Sequence, residues 1–104
     1  MTETINSLKD SLQRLLDMAE SGPGKAHMAR LRKAANVVVE NEGKIWMRTR
    51  VGRPLLERLM EASERAAKAL RGSDQSGLAK ALSDLDDAAA AIADESRRRS
   101  MVVT

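Results

Sequence analysis

The chain has no cysteine, phenylalanine or tyrosine, and only one tryptophan, one histidine and two prolines among its 104 residues. Without cysteine there is no disulfide staple, no thiolate metal ligand and no thiol nucleophile, and a reducing cytoplasm suits such a composition. The lone His27 excludes a histidine metal cluster and leaves acid–base chemistry without an imidazole partner, so the expectation for it is a surface or boundary position. No run approaches the roughly 18 apolar residues of a membrane span. The polar start Met1-Thr2-Glu3-Thr4 lacks the basic and then apolar pattern of a secretion signal. The expectation is therefore a soluble, cytoplasmic protein of one domain over residues 1–104, with a modest core filled by Leu, Ile, Val, Met and Ala.

What the chain does have is helical rhythm. Leu78, Leu82, Leu85, Ala89 and Ile92 recur at intervals of three and four, which places them on one face of a helix. Ile5, Leu8, Leu12, Leu15 and Ala19 repeat the rhythm near the start, and Leu56, Leu59, Ser63, Ala66 and Leu70 repeat it in the middle with one polar break. Apolar stripes of this kind must pack against one another. They predict an all-α fold, a small bundle of about four helices.

Punctuation sets the expected boundaries. Ser21-Gly22-Pro23-Gly24 ends a first helix over Ile5 to Glu20, because glycine is costly in a helix and proline lacks the amide hydrogen. Gly52-Arg53-Pro54 opens a third helix, with Pro54 at its first position and Glu57 in its first turn. That helix is predicted to end at Arg71, with Gly72 as a left-handed cap and Ser73 or Asp74 capping the last helix, which reaches about Arg99. There Arg97, Arg98 and Arg99 favour the negative end of the helix dipole.

Lys25 to Val51 admits two readings. Met28, Leu31 and Ala35 share a helical side that can be continued through Val38, Ile45 and Thr49 as one long helix, the reading that helical neighbours favour. Alternatively, Val37-Val38-Val39 is β-branched, Asn41-Glu42-Gly43 can turn, and Ile45, Met47, Thr49 and Val51 alternate with Trp46, Arg48 and Arg50, the pattern of a β-hairpin at 37–51.

Charge is unevenly spread within a formal net charge of +3. Residues 21–54 hold eight basic and two acidic side chains, whereas residues 73–96 hold one and six. The imbalance suits either a charge match between neighbouring helices or a basic binding surface. Lys44, Trp46, Arg48, Arg50 and Arg53 form the candidate partner surface, since cations neutralise phosphates and an aromatic ring can stack on a base. The plainer expectation for Trp46 is a packing anchor, with the arginines as a solvated rim.

Other motifs carry less chemistry. Ser21-Gly22-Pro23-Gly24-Lys25 lacks the glycine that a phosphate loop needs at Ala19 and the Ser or Thr it needs at Ala26, and it follows a helix where that loop follows a strand. Asp86 and Asp87 diverge by about 100° on a helix, so they do not converge on a metal. No nucleophile, base and orienting group combine, and no enzyme, cofactor, metal or small-molecule substrate is expected.

The second half bears a resemblance. Leu55-Leu56-Glu57-Arg58-Leu59-Met60 through Leu70-Arg71-Gly72-Ser73-Asp74, followed by Leu78-Ala79-Lys80-Ala81-Leu82-Ser83-Asp84-Leu85-Asp86-Asp87-Ala88, resembles the C-terminal helical lid of the seventy-kilodalton (DnaK-type) heat-shock chaperones. The resemblance covers residues 55–96, and Met18-Ala19-Glu20 is similar to a recurring segment of the preceding lid helices. Ser21 to Gly24, Val37 to Val39 and Gly43 depart from the family's long charged helix, and its ATPase and peptide-binding parts are absent. The resemblance implies a free-standing lid-like bundle that contacts other polypeptides or itself. The expected function is accordingly a non-enzymatic protein-interaction bundle, and the alternative is a small nucleic-acid binder using residues 44–53.

Overall fold

A computed structural model of the chain describes residues 2–102, with side chains from 6 to 22 and 24 to 99. It contains four α-helices: α1 (Thr2–Glu20), α2 (Met28–Asn41), α3 (Gly52–Arg71) and α4 (Gln75–Val102). Two 3-10 turns, Pro23–His27 and Ile45–Arg48, lie in the first two connections, and there is no strand among the described residues.

The stripes form the core as their periodicity requires. Leu8, Leu12, Leu15 and Ala19 of α1 meet Leu56, Leu59 and Ala66 of α3, Leu31 and Val38 of α2, and all five stripe residues of α4 in one buried cluster. Ile5 falls outside the described side chains, and Leu70 is only half buried. The polar break at Ser63 is fully buried, and its hydroxyl donates to the Met60 carbonyl at 2.8 Å, so no orphaned donor remains.

Cross-helix contacts define the topology. Lys9 pairs with Glu42 at 2.7 Å, so the start of α1 lies beside the end of α2 and the two run antiparallel. Arg30 pairs with Asp86 and, further along, Lys44 donates to Ser96 at 3.0 Å, so α2 and α4 advance together. Arg65 of α3 pairs with Asp84 of α4 at 3.0 Å across the antiparallel α3–α4 face, which is the most extensive in the bundle. The neighbours in ring order are α1, α2, α4 and α3, which leaves α2 and α3 on a diagonal.

Several boundaries differ from expectation. α3 begins at Gly52, two residues before Pro54, and Glu57 falls beyond its first turn. Gly72 keeps an ordinary φ of −91°, and the left-handed conformation sits instead on Ser73, with φ of 55°. Asp74 caps α4 as expected: its Oδ1 accepts from the Gly77 amide at 2.9 Å. The Ser21–Gly24 stretch is an interhelical turn, and Gly24 is packed so closely that a Cβ there would lie 2.9 Å from the Ala19 Cβ and 3.0 Å from Leu70.

Lys25 to Val51 is helical only in part: the helical reading holds over Met28–Asn41, and its continuation does not. The long helix stops at Asn41, and no hairpin forms at 37–51. Trp46 and Met47 are consecutive and both buried, which a strand of period two forbids, while Ile45 is 80% exposed, which a helical stripe through it forbids. A 3-10 turn is the geometry that sends two adjacent side chains inward here.

Candidate functional site

The α2–α3 connection has to travel the diagonal of the bundle, so it passes over one end of the core. Trp46, 6% exposed, and Met47 close that end from above. Thr49 fixes the crossing by donating its hydroxyl to the Trp46 carbonyl at 2.7 Å and accepting from the Gly52 amide at 3.4 Å. The backbone returns so tightly that a Cβ on Gly52 would overlap the Trp46 carbonyl and lie 2.6 Å from the Met47 Cα. Space, not φ, demands glycine there.

With its apolar pair turned inward, the connection turns its cations out. Lys44, Arg48, Arg50 and Arg53 are all exposed, and among the described residues none of them is paired with a carboxylate. Residues 43–53 thus carry four positive charges and no negative one. The acidic quarter matches the basic middle once, through Arg30 and Asp86, and Asp87 stays exposed.

The structure adds a second cationic segment that was read in the sequence only as a helix-end feature. Because α4 runs parallel to α2 and is 28 residues long, its last turns arrive beside this connection. The Arg99 guanidinium lies 5.7 Å from the centre of the Trp46 ring, a cation–π placement, and is held there by Glu95 at 2.8 Å. Glu95 also reaches Arg98 at 3.6 Å, and Asp94 pairs with Arg97 at 3.1 Å. The guanidinium side chains of Arg97 and Arg98 remain 71% and 74% exposed. Three arginines against two carboxylates leave residues 93–99 with a surplus of one positive charge. Together the two segments hold +5, so the remainder of the chain is −2 within the total of +3.

Of the five residues singled out in the sequence, four cations therefore share one exposed end, and Trp46 belongs to the core beneath them. Its Nε1 is buried without a partner, as is Oδ1 of Asn41, whose Nδ2 donates to the Val37 carbonyl at 2.8 Å. His27 stands half-buried ahead of α2 and makes no capping bond.

Elsewhere the surface is less organised. A groove of about 470 Å³ between α2 and α4 is floored by Ala34, Val37, Ala89 and Ala93; on its rim Arg30 is matched to Asp86 and Arg97 to Asp94, while Lys33 and Asp87 stand exposed without an ion pair among the described residues. It holds no nucleophile beside a base. No group of three or more His, Asp or Glu among the described residues could hold a metal, and no helix is long and apolar enough to cross a membrane. No protein-family model, curated protein or solved structure matches the chain.

Proposed function

We propose that the chain is a non-enzymatic binding module whose basic end engages a polyanion, nucleic acid foremost. The observation that carries this reading is the convergence of residues 43–53 and 93–99, which brings together two segments with a summed charge of +5 in a chain whose net charge is +3. Six of the seven cations there are arginines, whose planar fork matches phosphate oxygens in pairs. A field so concentrated speeds encounter with a polyanion and weakens with salt. The apolar stripes pack against one another in the core of the bundle.

The test is fluorescence anisotropy of a labelled oligonucleotide at low salt, with the double variant Arg48→Ala/Arg50→Ala beside Arg65→Ala as a surface control. Binding that falls at least tenfold in the first and stays unchanged in the second supports the reading. No binding by the native chain at 50 mM salt overturns it.

A protein-interaction bundle, lid-like or self-associating, is the second reading. It is favoured by Ile45, which is 80% exposed, and by the half-exposed Val39 and Val51, aliphatic side chains for which a phosphate backbone has little use. Binding of an acidic peptide in place of the oligonucleotide, weakened by Ile45→Ser, would replace the first reading with this one.

A further inference from the structure

We infer that the preferred ligand of the basic end is duplex nucleic acid, gripped by its two backbones without regard to sequence, and that Arg97 and Arg98 of α4 are the second half of the grip. The inference rests on the nucleic-acid reading above and narrows it. Single-strand binders draw affinity from aromatic faces on which bases stack. This chain has one aromatic residue; its ring is buried, and Arg99 lies over it. No Phe, Tyr or Trp ring is left exposed as a stacking platform at this end.

What remains is guanidinium chemistry on two separate supports. One is the crossing connection with the first turn of α3, carrying Lys44, Arg48, Arg50 and Arg53; the other is the last part of α4, with Arg97 and Arg98. The Lys44–Ser96 hydrogen bond and the Arg99–Trp46 contact hold the two supports against each other, so the cations they carry stand as neighbouring groups on one rigid end. Two cationic supports side by side suit two phosphate backbones flanking a groove. Contacts to phosphates carry no sequence information, so a grip made by these cations on the two backbones gives no sequence preference.

The experiment compares a duplex of about 20 base pairs with either of its strands, and measures how affinity changes with salt for the native chain and for Arg97→Ala/Arg98→Ala. Those two side chains are 71% and 74% exposed, so an unchanged melting temperature checks that the variant is folded. The expected result is at least tenfold tighter binding of the duplex, equal affinity for two unrelated duplex sequences, and a log–log salt slope flattened by about two in the variant. Equal affinity for single strand and duplex overturns the inference and leaves the broader reading standing. So does a variant slope identical to the native one. Failure to bind either form removes the broader reading as well.

Discussion

The α3–α4 connection and the α2–α3 connection solve different problems. The first takes three residues, Gly72 to Asp74, and joins adjacent antiparallel helices. Its chemistry is local: a left-handed Ser73 and an Asp74 side chain that satisfies an amide of the next helix. The second takes ten residues, Glu42 to Val51, and crosses between helices on a diagonal. A connection that long over the end of a core must bury something, and it buries Trp46 and Met47. With that pair turned inward, it shows solvent Lys44, Arg48 and Arg50, none of them paired with a carboxylate among the described residues, beside the exposed Ile45 and Val51. Length and diagonal placement, more than any single residue, turn a linker into a surface.

The sharpest way to break this contrast is to remove the plug. Trp46→Ala is expected to cost about 3–5 kcal/mol, since it empties the largest side chain in the core, and chemical denaturation will measure it. Leu85→Ala, in the middle of the α4 stripe and fully buried, sets the scale for the helical body at about 2–5 kcal/mol. If the Trp46 variant instead unfolds like the native protein, the crossing connection does not close the core. Gly52→Ala acts without removing any contact: the added methyl forces the return of the chain away from Met47, with an expected loss of about 1–3 kcal/mol. On the short connection, Asp74→Ala is expected to lose about 1 kcal/mol, the ordinary value of an N-terminal cap. Smallest of all, Arg48→Ala and Arg50→Ala are expected to change stability by no more than about 0.5 kcal/mol each, because these side chains are exposed and, among the described residues, pair with no carboxylate. Their effect belongs to binding.

The same contrast marks how far the sequence could be read. The stripes of α1, α3 and α4 were legible because three- and four-residue spacing leaves one way to bury Leu82, Leu85 and Ile92 together. Asp74 was legible as a cap because its role depends on a neighbour three residues away. The assignment of the left-handed position to Gly72 failed at Ser73: the turn needs one such residue, and its closing bonds from Ser73 and Asp74 back to Leu70 and Ala69 set which one. The crossing connection was misread more deeply. Alternation of Ile45, Met47, Thr49 and Val51 mimics a strand, yet Met47 is buried because the diagonal path demands it and Ile45 is left outside. Nothing local distinguishes those two fates.

For the candidate site, the four cations were visible as a run without acids, and the arginine triplet was visible too. That they meet depends on α2 and α4 lying parallel and adjacent, a tertiary fact with no local signature. Trp46 was weighed both as a stacking platform and as an anchor, and its burial beneath the connection makes it an anchor.

The salt dependence of duplex binding tests the central claim, that the exposed cations of the crossing connection meet phosphates. Affinity measured between 50 and 200 mM salt is expected to give a log–log slope of about −5 to −6 if Lys44, Arg48, Arg50, Arg53, Arg97 and Arg98 each neutralise one phosphate. In Arg48→Ala/Arg50→Ala the expected slope is shallower by about two. A slope near zero in the native chain, or one left unchanged by losing both arginines, would contradict it.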